Sequence, residues 1–294
     1  KYFLATLVEN YGDLKRGEYG KVHIKSGSRS YDQVYSMLEG DDLKHARGLY
    51  KNISKTPDKV YFPWSESVPE DKNTIVRRTI DEADFKRMHE VSKKLGITVN
   101  DAIMATVFRS LYEICGLKDN DSLTVSCAID LRKHIEKGGL LGGMTNHTAW
   151  MAVRTLEKGD DIRDTVVNVI RSTKGYKRDK FMGLYSLPLL KLAYTIFPYD
   201  IAEFAIKAGY DNPLIAVSNM GLLPADKLTF DGLTLKDGFI SGAVKYKPFF
   251  LMSVTTLLNR ITLSTAIRGN AKDIDIANRF FDLVMENIHA FNTI

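Results

Sequence analysis

Two polar strand ends are the places in this sequence where side chains can meet a reacting group. Residues 214–217 form an apolar run that ends in Ser218 and Asn219, with Gly221 just beyond. Residues 123–129 form a second such run, which ends in Asp130 and continues to Arg132. A buried strand that stops in polar side chains beside a glycine must turn there, and ligand sites collect at such ends. The chemistry on offer is hydrogen bonding: a hydroxyl or a carboxamide can hold a carbonyl oxygen, and a guanidinium can pair with a carboxylate. Each residue also has a structural role to weigh. Asn219 can form its own turn, Ser218 can be a satisfied buried hydroxyl, and for Arg132 a structural ion pair is the stronger reading.

A third candidate is the pair Asn146-His147 at the expected start of another strand. Side chains alternate along a strand, so at most one of the two points into a cleft, and His147 is a candidate general base. None of the six histidines stands at metal-ligand spacing from Cys, Asp or Glu, so a metal site is not expected. The glycines at 138, 139, 142 and 143 resemble a phosphate cradle, but no Lys-Ser/Thr follows and the next element reads as a strand. No nucleophile elbow and no P-loop occur. The residues present do not form a self-sufficient catalytic set.

Composition narrows the classes. The 294 residues are 44% hydrophobic and 26% charged, ordinary for a globular protein, with a net charge of +5. Lysines and arginines are scattered, and no groove-reading helix or aromatic-basic patch is evident, so nucleic acid is not an expected partner, and a small anionic ligand fits the mild basic excess as well. Cys115 and Cys127 sit in apolar surroundings and read as reduced core residues of a cytoplasmic protein. No apolar run is long enough for a transmembrane segment.

The elements that must position these residues follow from periodicity. The chain opens in mid-helix, with Phe3, Leu7, Tyr11 and Leu14 spaced three or four apart on one face and Gly17 expected to stop the helix. No N-cap and no initiating Met precede it, so further sequence is expected upstream. Short helices over 30–38 and 41–50 and a proline-punctuated crossing segment lead to a strand over 75–80. Asp81 and Thr98 are expected to cap two helices, and Asp160-Asp161 opens a third. Residues 184–206 are apolar but broken by Pro188 and Pro198. They read as core helices, with a greasy substrate pocket or a membrane surface as lesser options. Short strands are expected over 228–235 and 238–244, then a hairpin turning at 258–260, then a helix capped by Asp273. Strands interleaved with helices indicate an α/β layered sandwich with a mixed sheet, organised as an N-terminal remnant over 1–74 and an α/β subdomain over 75–294.

The ordered series V-S-C-A-I-D-L-R, G-G-M-T-N, A-V-S-N-M-G and the F-L-M-S-V-T-T-L-L-N-R-I-T-L-S hairpin resembles the chloramphenicol acetyltransferase-like superfamily. Within it the series is most similar to alcohol O-acetyltransferases, wax-ester/diacylglycerol acyltransferases and peptide-synthetase condensation domains. The resemblance covers roughly 75–294. It implies acyl transfer from CoA or a carrier-protein thioester, used as co-substrate and not as a tightly bound cofactor, to an alcohol or amine. The opening helix resembles the one that follows the family's HHxxxDG motif, whose second histidine is the general base; that motif is absent from this sequence. The resemblance therefore implies that an upstream half-domain or another chain supplies the base, with a non-catalytic binding or docking module as the alternative. It also implies that Asn146, Ser218, Asn219, Gly221 and Thr256 lie near the substrate tunnel, and that Asp130 and Arg132 support it.

Overall fold

In the computed structural model the described residues are 2–18, 20, 30–49, 58–135, 146–185, 187–209 and 213–294. The glycines at 138, 139, 142 and 143, and His23, lie outside them. The elements in chain order are α1 (Tyr2–Lys15), α2 (Gly40–Gly48), β1 (Lys72–Ile80), α3 (Glu82–Lys94), α4 (Val99–Ile114), β2 (Leu123–Asp130) and β3 (Thr148–Thr155). Next come α5 (Ile162–Arg178), α6 (Leu187–Ile196), α7 (Tyr199–Gly209), β4 (Ile215–Leu222), β5 (Phe250–Leu257), β6 (Arg260–Gly269) and α8 (Ala271–Asn292). Short 3-10 turns occur at Tyr31–Tyr35 and Leu131–His134.

Among the described residues the six strands form one mixed sheet in the order β1-β6-β5-β4-β2-β3. β4 runs parallel to both β2 and β5, and the other pairings are antiparallel. The carboxyl ends of β2, β4 and β5 therefore share one end of the sheet, and β3 begins there. The expected α/β layered architecture is what is found.

One face of the sheet packs on helices. Ile215 and Val217 of β4, Met252 and Val254 of β5, and Ile261 and Leu263 of β6 are buried against the helical layer, in which α8 supplies Phe280, Val284 and Ile288. The expected inward face of α8 is present, but its cap differs. Asn270 is the N-cap, and Asp273 closes the capping box by accepting from the Asn270 amide at 2.9 Å. The expected caps at Asp81, Thr98 and Asp161 are observed. The crossing segment is pinned through Phe62, whose ring stacks on Phe250 with centroids 4.1 Å apart, while Phe280 meets both edge-on.

The second face is lined by buried hydroxyls, among them Ser126, Ser253, Thr255, Thr262 and Ser264. This explains why the strand expected over 238–244 does not form. The Gly242 amide donates to Ser253 Oγ at 2.9 Å and the Ile240 amide to Thr255 Oγ1 at 3.1 Å, so side chains of β5 satisfy donors that a ladder would otherwise pair. A Cβ on Gly242 would lie 2.7 Å from Leu251 Cδ2 and 3.0 Å from Ser253 Oγ, so any larger residue there must displace these side chains. The strand expected over 228–235 is reduced to a single bridge between Phe230 and Leu233. The β5–β6 hairpin forms as expected, with Leu258 and Asn259 both at positive φ (48° and 57°).

The face of α1 that carries Phe3, Leu7, Tyr11 and Leu14 is exposed, and the helix is held through Val8, which packs with Leu223, Leu228 and Leu257. One further expectation is corrected. Helices α6 and α7 are not core helices: Leu187 and Ala202 are buried, but most of their large apolar side chains face outward. Apolarity along a helix shows that a face needs cover, not that this sheet provides it.

Candidate functional site

The sequence candidates lie in the halves of β2, β4 and β5 that run toward one end of the sheet, the rim, with Ser218 in mid-strand and Thr256 near the end, and the register divides them between two faces. On β4, side chains alternate from Ile215 and Val217 on the helical side to Ser218 on the hydroxyl-lined side, where it is level with Ser253. Asn219 returns to the helical side. A bulge between Asn219 and Gly221 follows, and Gly221 takes φ 66°. Thr256, level with Leu222 and half-buried, shares the helical side with Met252 and Val254. Ser218 and Thr256 therefore approach the rim from opposite faces.

Asn219 is fully engaged in shaping that rim. Its Oδ1 accepts the Gly221 amide at 2.8 Å, and its Nδ2 donates to Asn100 Oδ1 at 3.1 Å. Asn100 lies in the first turn of α4, which is fixed in turn by Asp101. The Asp101 carboxylate accepts from the Thr98 backbone and hydroxyl and pairs with Lys177 at 2.5 Å, with Asp101 only 3% exposed. A line of polar contacts thus runs from the end of α5 through the α4 cap to the β4 bulge. Sequence reading finds the cap at Thr98 but not Asn100 or Lys177, since nothing local marks a partner 119 or 76 residues away.

At the neighbouring strand, Asp130 accepts from the Arg132 amide at 2.9 Å and from its guanidinium at 3.1 Å. The pair lies at the exposed end of β2, with the Arg132 and Asp130 side chains 37% and 65% exposed. Asn146 and His147 precede β3 and do not belong to it, so strand alternation does not govern them; Asn146 is exposed and His147 is 0% exposed. The His147 carbonyl accepts the Leu131 amide at 2.8 Å. Its Nε2 lies 2.9 Å from Gln33 Nε2, which requires the ring nitrogen to accept from the carboxamide; Nδ1 has no partner among the described residues. Burial and the nearby Arg132 lower the His147 pKa, with Asp130 opposing, so the ring is neutral. Burial also pushes the thiol of Cys127, behind the rim, up to about 11, which removes it as a thiolate nucleophile at neutral pH.

The rim can therefore bind and orient. It offers a serine and a threonine hydroxyl, a glycine-bearing bulge and an exposed asparagine. Helix α1 is held at the same end, since Leu223 and Leu257 directly follow or end β4 and β5.

No protein-family model matches the sequence, and no curated protein matches it. Solved structures do match in three dimensions. The epimerization domain from the third module of tyrocidine synthetase B superposes with a TM-score of 0.60 at 11% identity, covering 98% of this chain and 66% of that one. The chain has the condensation-domain fold. Trichothecene 15-O-acetyltransferase from Fusarium sporotrichioides matches with a TM-score of 0.57 at 11% identity, over 87% of this chain and 53% of its own. The first condensation domain of the calcium-dependent antibiotic synthetase matches with a TM-score of 0.55 at 12% identity, over 99% and 60%. The chain thus spans between about half and two thirds of the length of these structures. The condensation-domain fold is the one implied by the ordered motifs of the sequence.

Proposed function

We propose that this chain is part of an acyltransferase that moves an acyl group from a CoA or carrier-protein thioester to an alcohol or amine. The observation that carries the reading is convergence: in a fold shared with condensation and acetyltransferase domains, the polar ends of β2, β4 and β5 and helix α1 meet at one rim. In the reaction the acceptor oxygen or nitrogen attacks the thioester carbonyl, a C–O or C–N bond replaces C–S, and the acceptor proton passes through a base to the departing thiolate. The base is a histidine of an HHxxxDG segment upstream of α1. From this chain, Ser218 or Thr256 donates a hydrogen bond to the developing oxyanion, the Asn219 bulge holds that rim in shape, and Asp130 with Arg132 stiffens the neighbouring strand end. Asn146 borders the acceptor side.

The test is acyl transfer from acyl-CoA and from a carrier-bound thioester, measured on the protein with its upstream sequence. Ser218→Ala and Thr256→Val are compared with the parent. Loss of an oxyanion donor lowers turnover by about tenfold to a thousandfold with little change in stability. Unchanged turnover in both variants would remove them from the site. A second reading, a non-catalytic module that holds an acyl thioester or carrier protein, is favoured by the burial of His147, the candidate general base of the sequence. It predicts thioester binding without transfer in the same assay.

A further inference from the structure

The sheet divides between β2 and β4. These strands are parallel neighbours, and the chain leaves β2 for β3 on one side and β4 for β5 on the other. Among the described residues their pairing is Ser126 with Ala216 and Cys127 with Val217, whereas β2 continues to Asp130 and β4 to Leu222. Parallel neighbours whose connections run to opposite sides leave a crevice at their carboxyl ends, where open α/β sheets take their ligands. The first turn of α4 reaches this place from the helical side. Asn100 Oδ1 accepts from Asn219 Nδ2 on β4 at 3.1 Å, and the same carboxamide hydrogen-bonds the Cys127 thiol on β2. One side chain thus spans the two strands just past their last rung.

Asn100 is the fixed end of that contact. It is half-buried, whereas Asn219 is exposed. The next residue, Asp101, closes the α4 capping box with Thr98 and pairs with Lys177 at 2.5 Å, so the turn that carries Asn100 is held from two sides. On the strand side the Asn219 carboxamide is committed through its oxygen to the Gly221 amide and through its nitrogen to Asn100. The bulge is therefore tied to the helix and not only to its own strand. Ser218 directly precedes the bulge, half-buried on the other face, and its hydroxyl meets the Met220 sulfur at 3.9 Å. A thioether is a weak acceptor, so that hydroxyl is free to turn to a stronger one. Its place is set by the backbone, and the backbone there is set by Asn219 and Asn100.

The geometry points to Asn100 as a positioning residue of the acyl-transfer site: it holds the β4 bulge against α4 and so sets where the Ser218 hydroxyl stands beside the β2–β4 crevice. The inference rests on the acyltransferase reading, and the experiment separates the two. It uses the protein with its upstream sequence and reads both amide exchange at Gly221 and acyl transfer from acyl-CoA. Asn100→Ala should speed exchange at Gly221 about three- to tenfold, as expected for one lost hydrogen bond, and shift the melting temperature by no more than about 4 °C. It should lower kcat about tenfold to a hundredfold with little change in KM. Asn100→Asp keeps the acceptor for Asn219, in a first helical turn that favours a carboxylate, and should restore both readouts to near the parent. Asn100→Ser, which shortens the side chain and keeps a polar group there, repeats both measurements with less perturbation. Ser218→Ala should cost less in the Asn100→Ala background than in the parent, while Thr256→Val costs the same in both. Unaltered Gly221 exchange in Asn100→Ala overturns the proposal, as does a Ser218→Ala cost that is equal in the two backgrounds. Equal coupling to Thr256 means that Asn100 acts through the fold as a whole, and also overturns it. A parent that transfers no acyl group overturns the acyltransferase reading, and Gly221 exchange then decides by itself whether Asn100 holds the bulge.

Discussion

Lys247 offers the sharpest test of how the crossing segment is fastened to the sheet. Its ammonium lies 2.7 Å from Asp273 and 3.1 Å from Asp71, with the three side chains 9%, 0% and 4% exposed. It also donates to the Glu66 carbonyl at 3.0 Å and to Ser65 Oγ at 3.3 Å. Asp273 accepts the Ser65 amide at 2.8 Å, so one cation joins the crossing segment to the cap of α8. In Lys247→Met, two buried carboxylates face each other without their counter-ion. Breaking a buried pair in this way costs about 3–5 kcal/mol, a large share of the 5–15 kcal/mol typical of a domain. The assay is urea unfolding followed by circular dichroism at pH 7. Adding Asp71→Asn and Asp273→Asn removes the stranded charge, and the loss should shrink to below about 2 kcal/mol. The pH dependence has a defined sign. Burial opposes ionisation of Asp273, but Lys247 and the cap amides prevail and hold its pKa low; that contribution is complete above the ordinary carboxylate range and lost as pH falls through the folded value. Burial likewise opposes the charge of Lys247, but Asp273 and Asp71 raise its pKa; that contribution is complete below the ordinary lysine value and lost as pH rises through the folded one. At pH 7 both are complete. A Lys247→Met loss under about 1 kcal/mol, or a triple variant no more stable than the single one, would refute this account.

Three further outcomes follow from individual residues. Leu258 occupies a left-handed turn position, so Leu258→Asn should raise stability by about 0.5–1 kcal/mol in the same urea assay. Gly242→Ala forces a Cβ toward Leu251 and should cost about 1–3 kcal/mol, with faster amide exchange at residues 240 and 242. Burial, with the nearby Arg132, lowers the His147 pKa, and burial also lowers that of His134, whose ring meets the Met182 carbonyl at 3.1 Å. A lowered histidine pKa means that stability falls as pH drops below about 6.5. His147→Gln should flatten part of that slope in thermal melts between pH 7 and pH 5, and an unchanged slope would count against a neutral ring.

The sequence by itself determined the elements and their order wherever the signal was local. Asp81 and the Thr98-Asp101 box capped their helices, the two positive-φ residues at 258–259 closed the hairpin, and apolar runs became the strands of a mixed sheet. It also singled out Ser218, Asn219 and Gly221, but the strand does not stop there: β4 runs on through them to Leu222, with a bulge where a turn was expected. Tertiary structure decided what those residues face. Register and alternation put Ser218, level with Ser253, and Thr256 on opposite faces of the sheet, the bulge committed Asn219 to bonding Gly221 and Asn100, and no local pattern encodes a partner on α4. The hydroxyls of β5 turned an expected strand over 238–244 into a covering segment, since side chains took up its amides. Burial was least legible of all. Apolar spacing in α1 and in α6–α7 shows that a surface avoids water, and only the packed fold shows whether the chain's own sheet, or something outside it, supplies the cover.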